Sequence, residues 1–207
     1  MNINELYKYV YAKEMLEAEL KILLKEFERK HSYSPVEHIK SRIKSTDSIC
    51  KKLERKGYEV TEKNVYRHIN DIIGVRIVVS FLSDVYDIVL AISKSTNIII
   101  KERKDYILNP KSSGYTSYHL KVLVPIYLQE YVEYIPAEIQ VRTVAMDFWA
   151  SLDHKIRYKF HESIPLEVQE KMEEYATDIQ QLDRKMYEMN QMMNKYETKK
   201  IETITTD

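Results

Sequence analysis

The chain has 207 residues, enough for one domain with a sizeable core, and sets 32 Lys plus Arg against 32 Asp plus Glu for a formal net charge of zero. That balance argues against a general DNA- or RNA-coating role, which calls for a basic excess, and leaves only a weak single-stranded RNA contact open. A lone cysteine, Cys50, excludes an intrachain disulfide and a cysteine-based zinc site. No run of 18 apolar residues and no basic start with an apolar stretch occurs, so neither a membrane span nor a secretion signal is expected, and the expected compartment is the cytoplasm.

Residues 1–34 read as an N-terminal helix, with Leu6, Val10, Leu16, Leu20, Leu23 and Phe27 near helical spacing. Ser34-Pro35-Val36-Glu37 has the form of a capping box and predicts a helix start. A further cap at Ser45 or Thr46 opens a helix that Gly57 closes. Ile72–Phe81 reads as a buried strand, followed by a helix over Asp84–Ser95 and a strand at Ile98–Lys101. Ser117–Val124 and Ile135–Val141 alternate, each burying one face and presenting polar groups on the other. Thr143–Tyr158 reads as a helix. After Pro165 a long helix carries apolar residues from Val168 to Tyr196 in alternating steps of four and three, a heptad seam for packing within the chain or between chains. One domain is expected over 1–207: helix 1–34, core 35–160, heptad helix 161–199 and flexible tail 200–207.

Some of these elements carry groups suited to phosphate chemistry, which needs carboxylates for magnesium, cations for phosphate oxygens and a base. Asp71 precedes the apolar strand, and Glu138 projects from the polar side of another. Arg76 is charged inside an apolar strand, so it needs a partner or a ligand. Strict alternation sets Asp71 and Arg76 on opposite faces, and Gly74 suggests a bulge that reconciles them. Tyr115, Ser117, His119 and Lys121 share parity after the loop that starts at Lys111, offering a nucleobase a ring to stack on. Arg42, Lys44, Lys52 and Arg55 form a basic stretch before the sheet.

Six segments in order carry a resemblance: Ser41-Arg42-Ile43-Lys44-Ser45, Asp71-Ile72-Ile73-Gly74-Val75-Arg76, Lys104-Asp105-Tyr106-Ile107, Lys111 to His119, Glu138-Ile139-Gln140-Val141-Arg142-Thr143, and Ala145 to Lys159. Together, from about Pro35 to Lys159, they resemble the synthetase domain of the RelA/SpoT family in its small stand-alone form. The resemblance implies an α/β (α+β) fold: a mixed β-sheet flanked by helices, like that of nucleotidyltransferases, with long terminal helices. It implies transfer of the β,γ-pyrophosphate of ATP to the 3′-hydroxyl of GDP or GTP in the stringent response. By matching positions, Asp71 and Glu138 are the catalytic, magnesium-holding carboxylates. Arg42 and Arg76 sandwich the adenine, and Lys44, Arg55 and Lys104 meet the ATP phosphates. Lys111, Tyr115, His119, Gln140 and Arg142 form the guanine-nucleotide site.

The resemblance further implies a homo-oligomer, a tetramer in many relatives, and no hydrolase, for no His-Asp dipeptide occurs. Thr116 stands where relatives often carry Arg, which predicts a lost contact to the acceptor phosphates. Lys21 and Lys25 match an alarmone-activation site between subunits, but His38 and Asp147 replace its Phe and Asn, and such activation is not expected. The alternatives are a related pyrophosphokinase acting on tRNA or an adenine nucleotide, and a non-catalytic nucleotide or RNA sensor.

Overall fold

The computed structural model describes residues 6–29, 33–160 and 163–204. Eleven elements follow one another: α1 (Leu6–Glu28), β1 (Val36–Ile43), α2 (Thr46–Arg55), α3 (Glu62–His68), β2 (Ile73–Val79), α4 (Leu82–Ser93), β3 (Ile99–Asp105), β4 (Tyr118–Tyr127), β5 (Val132–Thr143), α5 (Val144–Lys159) and α6 (Leu166–Ile204). The strands form one mixed sheet in the order β1-β2-β5-β4-β3, in which only β2 and β5 run parallel.

One face of this sheet is dry. Ile73, Val75 and Ile77 of β2, Leu120, Val122 and Val124 of β4, and Ala137, Ile139 and Val141 of β5 are buried there beneath α1 and α4. α1 supplies Ala12, Leu16, Leu20, Leu24 and Phe27, a stripe stepping by four and three. Leu6 and Val10, expected on that stripe, are exposed. α4 supplies Val85, Ile88, Val89 and Ile92. Burying these branched side chains at ~25 cal/mol per Å² drives the fold. The opposite face stays open and is flanked by α5.

The expected capping-box helix at Ser34 is absent, and Val36–Ile43 is strand β1. Pairing with β2, from Val36↔Val79 to Ile43↔Ile73, overrides the local signal. The Ser34 hydroxyl instead donates to Glu28 Oε1 at 3.2 Å. The basic stretch therefore divides, with Arg42 on an edge strand and Lys52 and Arg55 on α2. Ser45 caps α2 by accepting from Ser48 N, and Gly57 ends it at φ 74°. No periodicity announces α3, which Thr61 caps.

The last helix, α6, spans 39 residues and continues through most of the expected tail; 205–207 lie outside the described residues, as do 1–5 and 30–32 of the expected first helix. Its seam divides. Met172 and Ala176 are buried against Trp149, with Val168 and Ile179 alongside, whereas Leu182, Met186, Met189, Met193 and Tyr196 are exposed. Beyond Ile179 the described residues of α6 that the chain still buries are polar, Asp183 and Asn190, while the apolar seam there is exposed.

Farther along α6, Asp183 is buried and accepts from Thr143 Oγ1 at 2.7 Å. Burial raises its pKa above the usual 3.8 despite that hydrogen bond. The folded state then binds the proton more tightly, so the stability it lends is full below the unfolded pKa and is lost as pH rises through the folded one. Asp183→Asn is accordingly expected to raise Tm at pH 7, with the advantage vanishing as pH approaches 3.8. Thermal melts across that range check this.

Candidate functional site

Two cross-strand rows on the open face gather the polar residues. One runs Lys40–Arg76–Gln140–His119–Lys104 through all five strands, and its neighbour runs Arg42–Gly74–Glu138–Lys121–Glu102. A cavity of about 870 Å³ lies over these rows. A side cleft of about 300 Å³ between β1 and β2 holds Arg42, Gly74, Arg76 and Asp71. The expected bulge at Gly74 does not occur: the register is continuous, and a Cβ there would meet only Arg42 Cγ, at 3.9 Å. Asp71 reaches Arg76's side because it lies before β2 begins, outside the alternation.

Asp71 Oδ2 accepts from Lys44 Nζ at 3.0 Å, and Lys52 Nζ stands 2.8 Å from Oδ1. Burial alone pushes the Asp71 pKa up, but the Lys52 and Lys44 ammoniums outweigh it and hold the carboxyl below its ordinary value, hence ionised. Glu138 Oε1 accepts from Gln140 Nε2 at 2.6 Å and lies 3.4 Å from His119 Nδ1. This last contact is not an ion pair. Burial, reinforced by Arg142, Lys111, Lys104 and Lys121, lowers the His119 pKa to about 3, so the ring is neutral. Tyr115 OH lies 2.8 Å from His119 Nε2 and accepts from Arg142 Nη2 at 2.5 Å. It therefore donates to Nε2, which leaves Nδ1–H facing Glu138.

Arg142 is buried, with its donors engaged. Besides Tyr115 it bonds Gln140 Oε1 at 2.7 Å, Ser117 Oγ at 3.3 Å and Asp147 Oδ1 at 3.1 Å. Its geometry is that of a brace rather than a free cation. Lys111 Nζ sits 4.8 Å from the Tyr106 ring centre and 4.7 Å from that of Tyr115, and burial lowers its pKa. The loop is fixed from behind. Trp149 Nε1 donates to Ser113 O at 3.3 Å, Gln180 Nε2 donates to Gly114 O at 3.0 Å, and Gly114 has φ 71°.

The structure thus brings Asp71, Glu138, Arg42, Arg76, Lys104, Lys111, Tyr115, His119, Gln140 and Arg142 to one cavity, with Lys44 beside Asp71. Arg55 is exposed and is not among the lining residues; Lys52, one turn earlier on α2, lines the wall instead. Thr116 points away: it is 5% exposed and lines a separate cavity of about 70 Å³ with Met146 and Ile179. Sequence reasoning assigned no role to Lys52 or to Asp153, His154, Lys155 and Arg157 of α5, which close the cavity opposite the sheet. The signal for them is weak, polar residues on a helix whose facing partner only the fold supplies.

An open cavity that sets Asp71, Glu138 and Asp153 among many cationic side chains suits an enzyme that handles phosphorylated ligands. The pattern of the region found in RelA / SpoT proteins matches residues 41–163. GTP pyrophosphokinase YwaC of Bacillus subtilis (strain 168) is 46% identical over 183 residues, 88% of this chain and 87% of that protein. Small alarmone synthetase 2 of B. subtilis superposes with a TM-score of 0.81 at 43% identity, covering 91% of this chain and 97% of that one. Small alarmone synthetase 1 of that organism, solved with its product pppGpp, gives 0.81 at 30% identity over 91% and 98%; with AMPCPP it gives 0.76 at 29% over 93% and 97%. The chain belongs to the RelA/SpoT family.

Proposed function

We propose that the chain is a (p)ppGpp synthetase, a GTP diphosphokinase that moves the β,γ-pyrophosphate of ATP to the 3′-hydroxyl of GDP or GTP. The observation that carries this is the pair of rows setting Arg42 and Arg76, the two carboxylates and the Lys111–His119 loop around one cavity. Arg42 and Arg76 flank the side cleft and would take the adenine between guanidinium planes. Lys44, Lys52 and Lys104 would face the donor phosphates. Lys111 and the neutral His119 would face the guanine nucleotide, whose base would take the Tyr115 face that Lys111 covers. Arg157 and Lys155 of α5 would meet the acceptor's 5′-phosphates, where no side chain at position 116 points. Gln140 and Arg142 would hold Tyr115 and Glu138 in place.

In the reaction the 3′-oxygen bonds to the β-phosphorus, the bond from that phosphorus to the α–β bridging oxygen breaks, AMP departs and Glu138 takes the 3′-proton. The donor set fits magnesium. Asp71 Oδ1 is buried, with Lys52 beside it but no aligned hydrogen bond, and Glu138 lines the same cavity. Magnesium takes one or two carboxylates and completes its shell with water and phosphate. Held there, it would neutralise phosphate charge.

The same reading takes the chain as one synthetase domain acting in the cytoplasm as a homo-oligomer, a tetramer by resemblance. The exposed apolar stripe of α6 supports the assembly. Among the described residues no helix is long and apolar enough to cross a membrane. Mass spectrometry of products from ATP, magnesium and each guanine nucleotide tests the reaction. AMP and a 3′-pyrophosphorylated guanine nucleotide are expected. Unmodified GDP and GTP beside consumed tRNA or adenine nucleotide would overturn the acceptor.

A further inference from the structure

We propose that Asp147 is a positioning residue that ties the donor half of the cavity to the acceptor half by holding Arg76 and Arg142 on one carboxylate oxygen. The assignment rests on the donor and acceptor halves as read above. Asp147 lies on the first turn of α5, which Thr143 caps. Its Oδ1 stands 3.0 Å from Arg76 Nη1 and 3.1 Å from Arg142 Nη1. These arginines come from adjacent parallel strands, where Arg76 pairs with Gln140 and Val78 with Arg142, so they sit two residues apart on one face. Their backbone positions are offset by about 7 Å along the strand, but both Nη1 atoms lie within 3.1 Å of one oxygen, so the guanidiniums are drawn close and would repel in a half-buried setting. A carboxylate between them removes that repulsion: it accepts from Arg142 Nη1 and forms an ion pair with Arg76 Nη1, so it holds both side chains.

Arg76 has need of such a tether. Its Nε is buried with no hydrogen-bond partner, and burial together with Arg142 lowers the stability of its charge while Asp147 supports it. From the same oxygen a second path leads to the chemistry. Arg142 bonds Tyr115 OH and Gln140 Oε1, and Gln140 Nε2 bonds Glu138 Oε1 at 2.6 Å. Asp147 is not among the residues lining the cavity, so it acts on the nucleotides through the arginines rather than by touching them.

The test is steady-state kinetics of Asp147→Ala, varying ATP and the guanine nucleotide separately. Losing the hydrogen bond to Arg142 and the ion pair to Arg76 is expected to raise both KM values, each by about tenfold, and to lower kcat. A merely structural contribution would reduce the active fraction, hence kcat, and leave both KM values alone. Asp147→Asn keeps an acceptor oxygen and is expected to restore part of the loss; it also serves as the readout if the alanine variant does not fold. Arg76→Ala is expected to raise the KM for ATP alone, and adding Asp147→Ala to it to raise that KM no further. Unchanged KM for either substrate in both Asp147 variants, or additive effects with Arg76→Ala, would overturn the proposal. A wild-type protein that forms no alarmone from ATP and GDP or GTP overturns the reading of the site and this proposal with it.

Discussion

Glu138→Gln is expected to slow pyrophosphoryl transfer by about 10²- to 10⁴-fold, the range for losing a positioned base, while both nucleotides still bind. The substitution removes a charge while keeping the shape of the side chain. Glu138 accepts from Gln140 Nε2 at 2.6 Å, and an amide keeps an acceptor oxygen for that bond, so the strand and its neighbours need not move. What disappears is the group proposed to take the 3′-proton and to share in holding magnesium. Lys121 pairs across the sheet with Glu138, and the Lys111 side chain stands near, so the loss also leaves the rim more positive. Binding of anionic nucleotides should therefore hold. Asp71→Asn is expected to be comparably inactive for a different reason: Lys44 and Lys52 both lean on that carboxylate and would lose the charge that places them. AMP release measured with matched thermal melts checks both variants. Unchanged release in both, with folded protein, would remove the two carboxylates from the mechanism.

Gly114→Ala is expected to disable the acceptor side selectively. Two constraints meet at this residue. Its φ of 71° lies in the left-handed region, where a side chain costs ~1–2 kcal/mol. A Cβ added there would also fall 2.2 Å from Ala176 Cβ on α6, an atom fixed to the helix backbone that cannot swing aside. The loop must retreat from α6, which breaks the Gln180-to-Gly114 bond at 3.0 Å and loosens the Trp149-to-Ser113 bond at 3.3 Å. Lys111 and Tyr115 ride on that loop. The KM for the guanine nucleotide should rise by about tenfold or more, while that for ATP, whose proposed site lies at β1 and β2, stays near its original value. Adding Ala176→Gly makes room for the methyl group but leaves the left-handed strain, so partial recovery is expected. Kinetics with each substrate varied in turn decide it, and an unchanged guanine-nucleotide KM would detach the loop from acceptor binding.

Most of the sheet was legible because alternation is a local property: Leu120, Val122 and Val124, or Ala137, Ile139 and Val141, announce a buried face whatever lies above it. β1 was misread for the converse reason. Ser34-Pro35-Val36-Glu37 is a good helix start taken alone, and only the partner strand β2, some 40 residues later, makes extension more favourable. Gly74 misled similarly: the face reached by Asp71 depends on where β2 begins, which no glycine reports. The heptad spacing of α6 was plain, but which of its residues would be covered depended on where the helix leaves the sheet.

By itself, then, the sequence determined the residue types, their order and their parity along β2, β4 and β5, enough to name the family and to pick out many of the residues that line the cavity. Only the tertiary structure decided which groups act together. It set Lys52 rather than Arg55 at Asp71, turned Thr116 away from the cavity, and joined Arg76 to Arg142 through Asp147. The physical reason is distance along the chain. Parity is fixed by neighbours two residues away, whereas the neutral state of His119 depends first on burial and then on nearby cations, and the pairing of Asp147 on arginines from two strands, all of which meet only once the core has closed.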